Sequence, residues 1–252
     1  MDFEGREETF LYTPLVTDGK VLIQDITQKV LYEELIRKFV HVDHHSTIKW
    51  LEHFGRDVYL DWKQIWKQVH NPLCKNETIS QIWAQIHLND LTTASYNNWF
   101  RSNLLCPLCK SHIADLFHLV LNCSFTKQLW RDLDYFLKKL SPQPVSAEEM
   151  AFGLKGTSPK IVLRNWLTFL LRELIIKQEK MAYHNGLGFG NLVILKHTFN
   201  ARVLQEVCEA YELFVHDNNL ERFSSLYNPD RVLLVDPQGE VQGENIVRIF
   251  QL

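Results

Sequence analysis

Three of the chain's five cysteines fall within eighteen residues, with a histidine between the second and third: Cys106, Cys109, His118 and Cys123. No other feature restricts the fold as strongly. Cysteines three apart put two thiolates on one tight turn, where both reach a tetrahedral ion at about 2.3 Å. Asp115 is suited to cap a short helix carrying His118. His118 and Cys123 are five apart, about 140° around an α-helix and a poor shared face. The spacing therefore predicts that this helix ends before Cys123, with Asn122 in the left-handed conformation that turns Cys123 back. Three thiolates and an imidazole leave no open position. The expected cofactor is one structural zinc ion, contributing on the order of 10 kcal/mol to folding. His112 is a rival ligand, but only three residues past Cys109 it would close a very small loop. The competing reading, buried cysteines and a core histidine, has to accommodate four ligand-type residues in eighteen positions of a cysteine-poor chain.

The surroundings of the cluster are set by charge. The net charge is −3, which argues against a globally basic nucleic-acid binder. Residues 101–180 nevertheless hold twelve Lys and Arg against seven Asp and Glu, whereas residues 1–60 and 181–252 are acidic. The cysteine cluster lies in the only basic block, and affinity for phosphate depends on local charge. No apolar run approaches the length of a membrane span, and the start, MDFEGREETF, lacks the apolar stretch of a secretory signal. A soluble intracellular chain, with clustered cysteines as ligands and not disulfides, is the expectation.

Periodicity predicts a mainly α chain, a helical domain with an embedded Cys-Cys-His-Cys zinc knuckle and short β-hairpins near both termini. The first hairpin turns at Asp18-Gly19, the second, in residues 231–250, at Pro237-Gln238-Gly239. Between them a helix is expected from about residue 26 to 40. Short helices follow in STIKWLEHF, ended by Gly55, in DWKQIWKQV, capped by Asp61, and in ETISQIWAQIHL. Trp50, Trp62, Trp66 and Trp83 are the expected packing anchors. A helix starts at Ser124 and stops at SPQP. The longest opens at Ser158-Pro159 and closes near Asn185-Gly186, with Lys160, Arg164, Arg172, Lys177 and Lys180 outside its apolar set. Another spans roughly 191–216. The expected divisions are an N-terminal helical segment (1–100), the zinc-binding segment (101–130), a helical C-terminal domain (131–218) and a β-hairpin tail (219–252).

Residues Cys106-Pro107-Leu108-Cys109, His118, Cys123 and Trp130 resemble the zinc-binding segment that follows the reverse transcriptase in non-LTR (LINE-type) retrotransposon polyproteins. That pattern is Cys-Pro-x-Cys, a spacer, His, four residues, Cys and a later Trp. The upstream IWAQIHLNDLTTASYNNWF resembles the same family's segment before the finger. The chain departs from the pattern at Lys110, often Gly there; at Ala114-Asp115, often Glu-Thr; and at Ser124, often Pro. The resemblance implies binding of RNA or target DNA, a nuclear location (the residues alone allow nuclear or cytoplasmic), and a place beside the polymerase portion.

The polymerase core itself is not expected, because the chain has no Asp-Asp pair; Asp132 and Asp134 read as a solvated helical face. Some relatives carry a restriction-like endonuclease. Pro229-Asp230, Asp236 and Glu240 resemble part of its motif, but no lysine follows Lys196. The chain is therefore read as no enzyme, with neither a small-molecule substrate nor a membrane as partner. The expected function is a non-catalytic nucleic-acid-binding module for RNA or single-stranded DNA, with Arg101, Lys110, Lys127, Arg131, Lys138 and Lys139 on phosphates. Trp99, Phe100 or Phe125 could stack on bases. The alternative is a zinc-stapled scaffold that docks on a protein partner.

Overall fold

The structure is a computed structural model that describes residues 45–55, 58–88, 105–185, 191–227 and 229. Both expected hairpins, the helix near 26–40, Arg101, Trp99, Phe100 and the partial nuclease motif beyond Pro229 lie outside the described residues. The chain divides into two compact units, residues 1–52 and 53–252. Helix α1 (His45–Phe54) runs across the division, and Gly55, at φ +101°, ends it. All that follows concerns the second unit.

That unit is helical. It comprises α2 (Trp62–Val69), α3 (Asn76–Leu88), a π-turn (His118–Asn122), α4 (Ser124–Leu137), α5 (Ala147–Phe152), α6 (Pro159–Asn185), α7 (Leu192–His216) and α8 (Leu220–Tyr227). Among the described residues the only extended pairing is an antiparallel bridge between Leu105 and Ile113. The starts follow local capping chemistry. Asp61 accepts from Gln64 N (3.1 Å), Ser146 Oγ from Glu149 N (3.0 Å), and Asn191 from Val193 N and Ile194 N.

Helix α6 is the hub, packed by α3, α5, α7, α8 and the π-turn. Every residue from Leu163 to Glu173 is buried, so the helix has no solvent face over that stretch. This overturns the expectation that Arg164 and Arg172 lie outside the apolar set. Arg164 is enclosed and fully used. It holds both carboxylate oxygens of Glu149 and donates to the carbonyls of Ser141 (3.3 Å) and Gln143 (2.9 Å). It thereby fixes the SPQP stop that follows α4. Arg172 lies over the Phe169 ring (5.1 Å); burial lowers the pKa of its guanidinium. Burial also pushes the nearby Cys74 thiol far above its usual range, which makes it a packing group and not a nucleophile.

Polar cross-links orient the remaining helices on α6. Asn71 Nδ2 donates to Val162 O (2.8 Å), Thr78 Oγ1 to Glu173 (3.1 Å) and Trp166 Nε1 to Glu206 (3.3 Å). Among the described residues Trp130 and Trp166 are fully enclosed and Trp50 is buried; Trp62 and Trp66 are half-buried, and the buried residues of α2 are Ile65, Gln68 and Val69. Helix α8 opens the stretch expected as a hairpin tail. Phe223 and Tyr227, four apart, stack on each other (5.0 Å), and Tyr227 meets Trp166 edge-on (5.6 Å). Spacing by four on an apolar anchor selects a helix there. Gly153 ends α5 at φ +81°, where a Cβ would meet Asn165 Oδ1 at 2.9 Å. That amide brackets Leu154, accepting from its N (2.7 Å) and donating to its O (2.9 Å).

Removing one partner of a buried pair strands the other charge. Arg164→Ala should therefore lower stability by about 3–5 kcal/mol, read as a fall in the urea midpoint at unchanged slope. Lys75→Ala, in a pair with Glu209 that is exposed on both sides, should change it by less than about 1 kcal/mol.

Candidate metal centre

Cys106 and Cys109 lie on a knuckle folded by its own backbone. Lys110 N donates to Cys106 O (2.8 Å), Cys106 N to His112 O (2.6 Å) and Ser111 Oγ to Cys109 O (2.8 Å). The turn forces Lys110 to φ 60°. The left-handed region is costly for a residue with a Cβ and open to Gly. Asp115 caps the second ligand arm as the sequence predicts, accepting from His118 N at 2.6 Å.

The approach of Cys123 differs from expectation. Asn122 is not left-handed. Instead Cys123 N donates to His118 O, five residues back, in a π-turn. Closing the turn over five residues winds the backbone more loosely than an α-helix. Residues five apart then fall above one another, and His118 and Cys123 reach the same place. The looser turn has its carbonyls satisfied from α4. Thr126 Oγ1 donates to Leu119 O (2.8 Å), and Trp130 Nε1 to Val120 O (2.7 Å). Trp130 is thus the buried donor that closes the site from behind.

The four donor atoms lie within 4.8 Å of one another and could hold a metal ion. Cys106 Sγ and Cys123 Sγ are 3.9 Å apart, and Cys109 Sγ is 3.2 Å from His118 Nε2. Tetrahedral bonds of about 2.3 Å to two thiolates would set them about 3.8 Å apart. Cys106, His118 and Cys123 are buried and Cys109 is half-buried, with Leu108, Ala114, Leu119 and Phe125 packed around them. The two buried thiols share a hydrogen bond, which lowers the pKa of Cys123 to about 5 and raises that of Cys106 above the usual thiol range. His112, the rival, is exposed; its ring stacks on that of His118 (5.2 Å) and its nitrogens lie outside the donor group. Phe117, beside the ligand arm, stacks on His53 (4.3 Å), whose pKa burial lowers against the raising charge of Asp115.

Of the other expected site residues, Lys110 is exposed at the knuckle tip, Lys127 and Arg131 are exposed on α4, and Lys138 and Lys139 are exposed just past its end. Lys138 pairs with Asp134 (2.8 Å), and Lys139 lies over Phe136 (5.3 Å). Phe125 is half-buried and packs against the knuckle core. Asp132 pairs with Lys196 (2.8 Å), and Asp134 also accepts from Val145 N (2.7 Å). The sequence reading missed Tyr135, exposed between Arg131 and Lys138 on the same helix.

Among the described residues no helix is long and apolar enough to cross a membrane. No family model, curated protein or solved structure matches the chain.

Trp130→Phe removes the indole N–H, strands the buried Val120 carbonyl and leaves a cavity beside the smaller ring, so stability should fall by at least about 1–3 kcal/mol, measured by chemical denaturation. Lys110→Gly relieves the positive φ and should raise stability by up to about 1 kcal/mol. Protons compete with a cation for the thiolates. Affinity for Zn2+ should therefore fall with falling pH, more steeply once Cys123 is protonated below about pH 5.

Proposed function

We propose that this chain is a non-catalytic, zinc-stapled helical module that binds nucleic acid, of the type that follows the polymerase in non-LTR retrotransposon polyproteins. Three thiolates and one imidazole suit zinc, and four protein ligands make its role structural. Zinc supplies folding energy there by holding the knuckle, Cys106 and Cys109, against the ligand arm, His118 and Cys123. Both acids of α4 are engaged, Asp132 with Lys196 and Asp134 with Lys138 and Val145 N, and neither is free to serve as half of an acid pair.

One observation carries the binding reading. On α4 the buried residues, Thr126, Leu129, Trp130, Leu133, Phe136 and Leu137, occupy one side, and the exposed cations Lys127 and Arg131, continued by Lys138 and Lys139 just past its end, occupy the other. Successive residues step by about 100°, so Lys127, Arg131 and Lys138 fall within about 40° of one another, opposite the core. The charge excess of residues 101–180 thus emerges at the surface, while Arg164 and Arg172 are consumed inside. A cationic face on a rigid helix anchored at its start by a metal ligand suits phosphates. A protein-docking scaffold is the competing outcome.

The test is binding of structured RNA and of single-stranded DNA across a salt series. Four phosphate contacts predict a log–log slope of about −3 on a single strand. Lys127→Ala with Arg131→Ala should weaken binding and flatten the slope by about 1 to 1.5. Cys106→Ser with Cys109→Ser should lose zinc and, with it, cooperative unfolding of the knuckle. Absence of binding at low salt by folded, zinc-loaded protein would favour the scaffold.

A further inference from the structure

Tyr135 has no evident work inside the protein. It is 64% exposed, whereas the next residue, Phe136, is buried. Among the described residues nothing bonds or stacks on its side chain. Its position on α4 is specific: it lies one turn after Arg131 and one turn before Lys138 and Lys139, and Lys127 precedes Arg131 by another turn. Lys127, Arg131 and Tyr135 each advance by about 40° around the axis, and Lys138 falls between the first two. The four side chains therefore form one stripe about 80° wide and, at 1.5 Å per residue, about 16 Å long. Tyr59 is more exposed, at 81%, but sits in an irregular segment two residues before the Asp61 cap of α2, away from this cationic stripe in sequence.

The flanks of the stripe limit its width. Asp132 lies to one side with Lys196, and Asp134 to the other with Lys138 and Val145 N. A second row of phosphates placed over either flank would meet a carboxylate. A single file of cations matches one polynucleotide backbone and not the two of a duplex. Phosphates alone would require only cations. An exposed ring within the file adds a surface on which a base can stack, and only an unpaired base has a free face to offer.

We infer that the ligand of this face is a single-stranded nucleic acid, with Lys127, Arg131 and Lys138 on consecutive phosphates and one base stacked on Tyr135. This rests on the nucleic-acid reading above and names its substrate class. Stacking is tolerant of base identity, so the expected preference is for unpaired strands of any sequence.

The experiment compares wild type, Tyr135→Ala, Tyr135→Phe and Lys127→Ala/Arg131→Ala, all zinc-loaded and matched by circular dichroism. The probes are oligo(dT), oligo(U) and a blunt DNA duplex with the same number of phosphates. Tyr135→Ala should weaken both single strands by about 10- to 100-fold and leave the duplex within about twofold. Tyr135→Phe should restore binding, since the ring and not the hydroxyl does the stacking. The double cation variant should weaken all three probes. A larger loss on one single strand than on the other would assign the face to RNA or to DNA within the same inference. Equal losses on single strand and duplex in Tyr135→Ala would overturn stacking. So would single-strand binding that falls in the cation variant and is unchanged in Tyr135→Ala, although nucleic-acid binding itself would then stand. No loss in any variant would overturn both.

Discussion

The hydrogen bond from Cys123 N to His118 O is the constraint on which the rest of this unit depends. In an α-helix these two residues would diverge by about 140°, and no cluster would form. Closing the turn over five residues brings them together but leaves backbone carbonyls that the regular ladder would have satisfied. Those of Leu119 and Val120 are met by side chains of the next helix, Thr126 and Trp130. The donor cluster and the first two turns of α4 are therefore one object. Neither can be regular without the other.

The far end of α4 is fixed by a different interaction. Arg164 reaches out of α6 to the carbonyls of Ser141 and Gln143, and Glu149 neutralises it. A buried pair by itself contributes little, because desolvation offsets its attraction. Here the guanidinium also satisfies carbonyls in a loop whose prolines, Pro142 and Pro144, cannot donate amides in return. Helix α4 is thus held at its start by the ligand cluster and just past its end by Arg164, both backed by α6.

The sequence made the chemistry of the cluster legible and left its geometry largely hidden. Ligand identity follows from residue type and spacing, and the caps at Asp61 and Asp115 follow from short-range side-chain geometry. The π-turn is invisible to periodicity, because what selects it is the supply of donors by Thr126 and Trp130, residues that read as ordinary positions on a later helix. Arg164 and Arg172 read as solvated because charge is normally exposed; only the surrounding helices reveal that α6 has no outside there. Trp130 reads as one tryptophan among seven, and its role depends on the carbonyl it faces. The six-residue α5 lacks the length that a periodic signal needs, and α8 is selected by the packing of Phe223 and Tyr227, which only the neighbouring Trp166 makes visible. Tyr135 lies in a helix that was recognised, but the apolar face absorbs aromatics by default, and only its exposure sets it apart.

Helix α4 also resolves the tension between a modest net charge and the proposed phosphate-binding face. Thr126, Leu129, Trp130 and Leu133 are committed to the donor cluster and the core, so they cannot face solvent. That commitment fixes the rotation of the helix about its axis. The rotation in turn decides which side chains face outward, namely Lys127, Arg131, Tyr135 and Lys138. Acids elsewhere on the chain can then keep the total charge negative without weakening the face, because screening confines each charge to roughly 8–10 Å at physiological salt. On this view the ligand cluster need not touch nucleic acid to matter for its binding. Its contribution is to set the angle at which one helix presents its cations and its ring.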